Sequence, residues 1–253
     1  MKAKGLLSRV TFAFLAWGMG WTVATSAYAQ EAAAPASKAG TRNAAKPRKL
    51  LFLGNSITLH GPAPAIGWSG NWGMAASARE KDYVHIVTRS LSGATGTAPE
   101  VMVKNIAEFE RRYATYDVAG KLKDARAFGA DLIIVAIGEN VPKLDSQEAK
   151  VEFGNSFVKL LRDLKADHRP TMVVRSCFWP NQAKDQMLRQ GCREVGGIFV
   201  DISSVGKDES NSARSERKFT HAGVAAHPGD KGMQAIANAI LQAINNPGKG
   251  MDK

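Results

Sequence analysis

Five short apolar runs punctuate the chain: "KLLFLG" (49–54), "EVMVKN" (100–105), "DLIIVAIG" (131–138), "TMVVRS" (171–176) and "IFVDIS" (198–203). Each is rich in Val, Ile, Leu or Phe and bounded by polar or turn-forming residues, which predicts buried parallel strands. Helix-like spacing fills the gaps at about 74–92, 107–128, 146–166 and 183–195, and a last such stretch follows at about 230–245. Strands alternating with helices predict a doubly wound α/β fold, a three-layer α/β/α sandwich on a five-stranded parallel sheet. Open sheets of that kind place ligands outside the carboxyl ends of their strands.

The first residues change the domain picture. Lys2, Lys4 and Arg9 precede an apolar stretch from Val10 to about Val23, and Ala27-Tyr28-Ala29 then stands before Gln30. This is the order of a secretory signal peptide over 1–29, cleaved after Ala29. The apolar run is short and broken by glycines, which disfavours a membrane anchor. Residues 30–48 are Ala, Pro, Ser, Thr and basic residues without periodicity, a disordered lead-in. One domain over 49–246 and a disordered tail over 247–253 complete the expected organisation. The mature protein is expected to be periplasmic or secreted, with no stable membrane insertion.

Charge and composition narrow the function classes. The chain of 253 residues has 44% hydrophobic composition, enough for one sizeable core, and a net charge of +11. Lys2, Lys4 and Arg9 account for three of those charges, leaving +8, and five more cations, Lys38, Arg42, Lys46, Arg48 and Lys49, sit in the lead-in and at its junction with the domain. The folded part is therefore mildly basic, compatible with an anionic surface or polysaccharide. No element interleaves basic and aromatic residues as a nucleic-acid reader does, so no nucleic-acid partner is expected. Cys177 and Cys192 have two readings in an oxidising compartment: a cross-link contributing about 3 kcal/mol, or a pair of buried thiols. The histidines and cysteines show no zinc-site spacing, and no metal or organic cofactor is expected.

Candidate chemistry gathers at the strand ends. Gly54-Asn55-Ser56 follows the first strand and Gly138-Glu139-Asn140 the third, while His227-Pro228 stands just before the last helix, with Asp230 as its N-cap. A serine hydroxyl is a weak nucleophile until a base takes its proton, and imidazole does that near neutral pH. Attack on an ester carbonyl creates an oxyanion, which an Asn side chain and backbone N–H groups can receive.

In this order the motifs resemble those of the SGNH or GDSL hydrolases. Gly54-Asn55-Ser56-Ile57-Thr58 is similar to the Gly-Asp-Ser block, Gly138-Glu139-Asn140 to Gly-x-Asn, and Val224-Ala225-Ala226-His227-Pro228 to Asp-x-x-His-Pro. The resemblance covers roughly 49–245 and implies a flavodoxin-like sandwich. It also implies Ser56 as nucleophile, His227 as general base, and the Ser56 N–H and Asn140 side chain as oxyanion donors.

The chain departs from that pattern in two places. Valine occupies position 224, where the family has the aspartate that orients the histidine, so a backbone carbonyl near Val224 is expected to take its place. Asp201, Glu139 and Asp230 are the other conceivable partners, and His221 is a rival base. After the second strand "VKNIAEFERR" offers Asn105, Ile106 and Ala107 but no glycine, and the Ala107 N–H is the expected replacement donor. The stretch "LHGPAPAIGWSGNWGMAASARE" places His60, Trp68 and Trp72 directly after the nucleophile. The tryptophans either pack this loop or wall a substrate cleft, and Trp179 after the fourth strand is a further cleft candidate. The activity implied is that of an exported ester hydrolase removing acetyl or another small acyl group from a carbohydrate. Two alternatives stay open: a lipolytic esterase or thioesterase, and a glycan-binding protein without catalysis.

Overall fold

A computed structural model describes residues 47–93, 98–165 and 169–247. The expected signal peptide, most of the lead-in and most of the tail lie outside those residues. Five parallel strands form one sheet: β1 (Lys49–Gly54), β2 (Glu100–Asn105), β3 (Leu132–Ala136), β4 (Thr171–Arg175) and β5 (Ile198–Val200). Their order is β2-β1-β3-β4-β5, so the chain leaves β1 toward one edge and then returns to build the other. Consecutive loops at β1 and β3 therefore diverge to opposite faces and leave a crevice at the carboxyl ends. Gly54 pairs with both Asn105 and Ala136, which puts the segments after β1, β2 and β3 side by side at that crevice.

Alternation along the strands sorts the core into two layers, because successive side chains of a strand point to opposite faces. Leu50 and Phe52 of β1, with Leu132 and Ile134 of β3, face helices α1 (Tyr83–Gly93) and α9 (Asp230–Asn245). Leu51 and Leu53, with Ile133 and Val135, face the opposite layer. There the chain supplies α2 (Ala107–Arg112), α3 (Val118–Lys121), α4 (Lys123–Ala127), α5 (Gln147–Lys165) and α6 (Gln182–Glu194). Leu50 through Leu53 are all fully buried, as a strand covered on both faces requires.

The three-layer α/β/α sandwich is as expected, with local differences. The helix expected from 74 begins at Tyr83, because the Asp82 carboxylate accepts the His85 N–H at 2.8 Å and starts the helix there. The stretch expected as one helix over 107–128 is broken between Tyr113 and Asp117, and Asp117 accepts the Gly120 N–H to start α3. The last helix spans 230–245 as the spacing indicates. Two short helices, α7 (Ser203–Lys207) and α8 (Ala222–Ala226), were not expected. Cys177 and Cys192 are free and buried, and burial raises both thiols, Cys192 to about 12. Among the described residues no helix is long and apolar enough to cross a membrane.

Candidate active site

The turn after β1 is tight because its glycine is obligatory. A Cβ at Gly54 would overlap the Thr58 side chain and press on the Ala136 carbonyl. Asn55 closes the corner, its Oδ1 accepting the Ile57 N–H at 3.1 Å and its carbonyl accepting those of Thr58 and Leu59 at 2.9 Å. Ser56 thus stands at the apex, with its hydroxyl directed away from the sheet. Its N–H meets no protein acceptor among the described residues.

His227 reaches Ser56 across 171 residues of sequence, with Nε2 2.8 Å from Oγ. Its Nδ1 lies 2.7 Å from the Gly223 carbonyl oxygen. A carbonyl can only accept, so Nδ1 carries the hydrogen and the Nε2 lone pair faces the serine hydroxyl. The carbonyl partner expected near Val224 is therefore that of Gly223, one residue before it. The other conceivable partners are engaged elsewhere: Asp201 by Arg189, Asp230 by Ser77 and Lys81, and Glu139 by Arg175. Burial lowers the His227 pKa below the usual imidazole value, against a smaller upward pull from the Gly223 bond and from Glu139. His221 instead caps α8, its Nδ1 accepting the Gly223 N–H at 3.1 Å.

The segment carrying His227 is pinned from both sides. Ala213 donates its N–H to the His227 carbonyl at 2.8 Å, and Gly229 donates to the Asn211 carbonyl at 2.9 Å. Val224 is buried with Trp68, Met74, Ala75 and Ala213 in a small satellite core. The position that resembles the family's aspartate thus serves packing instead.

Asn140 is held from below by a residue that sequence reasoning missed. Glu110 of α2 is fully buried and accepts Asn140 Nδ2 at 2.7 Å through Oε2. Its Oε1 accepts Gly138 N at 2.6 Å, Asn140 N at 3.2 Å and Asn55 Nδ2 at 3.1 Å. One Asn140 amide hydrogen is thereby used, and the other remains for the cavity that Asn140 lines. Gly138 adopts φ 126, and a Cβ there would strike the Cys177 sulfur, so this turn too requires glycine.

Glu139 points into the sheet end rather than the cavity. Its Oε2 accepts Asn55 Nδ2 at 2.6 Å, and its Oε1 accepts Arg175 Nη1 at 2.7 Å and Phe178 N at 2.8 Å. Arg175 is itself fully buried at the end of β4. Burial pushes the Glu139 pKa up, but Arg175 and the Phe178 and Asn55 bonds outweigh it and hold the carboxyl below its ordinary range. Glu110 has no such cation, and burial and the neighbouring Glu139 charge raise it. The visible sequence signal was a charged residue closing an otherwise apolar strand, Arg175 in "TMVVRS".

A cavity of about 300 Å3 opens over Ser56 and His227, with Asn140 and Asn105 on one side and Ile66, Met74 and Val224 supplying apolar wall. His60 is among the residues that line it. Ala107 lines it too, but its N–H donates to Asn105 Oδ1 at 2.9 Å, which corrects its expected role as a free donor. None of Trp68, Trp72 and Trp179, the expected cleft tryptophans, is among the residues lining the cavity, and for Trp68 and Trp72 the reason is packing within their own loop. Their rings meet edge to face at 5.6 Å, and their indole N–H groups donate within the loop, to the His60 and Ala76 carbonyls at 3.1 Å. Of their two readings, loop packing is the one observed. Trp179 stands edge-on to the His227 ring at 5.2 Å and is 39% exposed, a half-open indole beside the imidazole. Among the described residues no group of three or more His, Cys, Asp or Glu could hold a metal ion.

No protein-family model matches the chain, and no curated protein sequence does. Solved structures do share its fold. A protein of Bacteroides uniformis assigned as a GDSL-like lipase superposes with a TM-score of 0.51 at 14% identity, covering 78% of this chain and 95% of its own. Another so assigned, from Bacteroides ovatus, gives 0.51 at 12% identity, over 79% and 98%. An acetyl xylan esterase gives 0.50 at 13% identity, over 78% and 99%. The chain has the α/β fold of the GDSL-like hydrolases.

Proposed function

We propose that this chain is a divergent serine ester hydrolase of the SGNH or GDSL type that removes a small acyl group, in the first instance acetyl, from a carbohydrate. The observation that carries the reading is the relay from the Ser56 hydroxyl through His227 to the Gly223 carbonyl, 2.8 Å and 2.7 Å long, under an open cavity. As Ser56 Oγ attacks the ester carbonyl, its proton passes to His227 Nε2, and the imidazolium is steadied by its bond to Gly223. The oxyanion receives the Ser56 N–H and the free Asn140 amide hydrogen, both fixed before substrate arrives. Collapse of the tetrahedral adduct breaks the bond to the sugar oxygen, which takes the proton from Nε2 and leaves as an alcohol. Water, deprotonated by the same nitrogen, then attacks the acyl carbonyl, and as the bond to Ser56 Oγ breaks that oxygen takes the proton back from Nε2.

The substrate class rests on shape. The short apolar wall of Ile66, Met74 and Val224 suits a methyl-sized acyl group, and Trp179, half-exposed beside His227 though outside the cavity lining, is available to a sugar ring that extends past the cavity. Similarity to a fold that an acetyl xylan esterase also uses is consistent with that reading. Export of the mature chain is part of the same proposal, from the signal-like order of residues 1–29.

The test is acetate release from acetylated xylooligosaccharides together with a chain-length series of nitrophenyl esters. Acetate esters should be preferred over octanoates, and Ser56→Ala should lose on the order of 10^4-fold or more in kcat. A fluorophosphonate should label the wild type and not Ser56→Ala. Absence of labelling and of turnover would instead favour glycan binding without catalysis, and a preference for long acyl chains would favour the lipolytic alternative.

A further inference from the structure

The cavity over Ser56 has a charge character that a neutral sugar ester does not use. Arg111, His60 and His221 line it alongside the His227 imidazole, and no Asp or Glu lies among its lining residues. Arg111 belongs to α2, directly after Glu110, so one short helix turns its carboxylate inward to Asn140 and supplies an exposed arginine to the cavity lining. That cation has no hydrogen bond or ion pair with any described residue. Glu108, one turn back, feels it only weakly, because Lys121 Nζ already holds the Glu108 carboxylate at 2.6 Å and 2.7 Å. His221 adds a donor, since its Nδ1 accepts from Gly223 and the neutral ring therefore carries its hydrogen on Nε2. The two buried carboxylates nearby, Glu110 and Glu139, are saturated by donors from the strand ends and by Arg175. At longer range the charge of +8 that remains after residues 1–29 are removed favours approach of acidic polymers.

We propose that the natural substrate is an acylated acidic sugar, whose carboxylate is received by Arg111 beside the scissile ester. The proposal rests on the ester-hydrolase reading above and adds to it the class of carbohydrate. A guanidinium presents paired donors to a carboxylate in a fixed plane, which fixes the sugar's orientation as well as its charge. Such an anchor acts on the bound ground state and the transition state alike, so its effect belongs in KM.

The experiment compares acetate release from an O-acetylated methyl glucuronoside, its neutral uronamide and the corresponding O-acetylated sugar sulfate, with nitrophenyl acetate as a control for the esterase itself. The wild type is expected to favour the uronate over the uronamide by about tenfold in kcat/KM, chiefly through KM. That ratio should shrink as ionic strength rises. In Arg111→Gln it should fall close to one, and Arg111→Lys should keep part of it. A wild-type ratio at or below one, or a ratio untouched in Arg111→Gln, overturns the proposal while Ser56-dependent hydrolysis of nitrophenyl acetate leaves the esterase standing. A sulfate turned over faster than the uronate overturns the carboxylate assignment. Failure of the wild type on every ester overturns the esterase reading and this inference with it.

Discussion

The two halves of the site are held by opposite means. Ser56 and Asn140 sit on turns locked by buried charge, with Glu110, Glu139 and Arg175 drawing the ends of β1, β3 and β4 together through Asn55, Gly138 and Phe178. His227 sits on a loop gripped by apolar packing, with Val224 wedged against Trp68 and Met74, and by a few main-chain bonds to Asn211 and Ala213. A charged lattice fails all at once when one partner is removed, because the survivors are left unsatisfied. Apolar packing yields in proportion to what is cut away. The half that carries Ser56 and Asn140 should therefore be brittle and the half that carries His227 forgiving.

The largest break should come from Glu110→Ala, which strands the N–H groups of Gly138 and Asn140 and frees the Asn140 amide. A loss of roughly 10^2-fold to 10^3-fold in kcat is expected, with KM little changed, because the oxyanion donor is mispositioned rather than the substrate released. Denaturant unfolding should show a cost of about 3 kcal/mol. Glu110→Gln should not rescue it, since its amide would present hydrogens to donors. On the His227 side, Val224→Asp sharpens the comparison by placing a carboxylate where the resembled motif has aspartate. It should cost on the order of 2 kcal/mol by placing an unpaired charge among Trp68, Met74 and Ala213, and should bring no gain in kcat, because Nδ1 already has its acceptor. Trp179→Ala should raise KM for sugar esters by roughly fivefold while nitrophenyl acetate changes less, as lost stacking predicts. The smallest effect concerns pH. Only neutral His227 can accept the serine proton, and burial lowers its pKa, so the acidic limb of kcat/KM should fall below about pH 6.5. A limb above that value would contradict the burial of the ring.

Much of this was legible because buried parallel strands announce themselves as short apolar runs. β1 and β2 coincide with their expected bounds, and β3 ends two residues early where Ile137 and Gly138 leave the ladder to form the turn. The helix expected over 107–128 keeps its apolar spacing through Phe109, Val118, Leu122 and Ala125, yet the chain breaks it, since periodicity carries no notice of an Asp117 cap. Ser56, Asn140, His60 and His227 could be singled out because strand ends and a helix start mark them locally. Glu110 could not, because its partners are 28 to 55 residues away and a glutamate on a short amphipathic helix reads as solvated. Trp68 and Trp72 were ambiguous for the reverse reason: the same indole packs a loop or walls a cleft, and only the third dimension separates the two.

The Gly223 carbonyl that orients His227 has a consequence for working conditions. A carboxylate in that place would itself take up a proton in sufficiently acidic surroundings and release the ring. A peptide oxygen has no ionisation to lose, so the imidazole stays aimed at Ser56 wherever the backbone stays folded. Protonation of the ring in acid then leaves its orienting bond partner unchanged, so on the proposed reading any activity lost through His227 should return at neutrality.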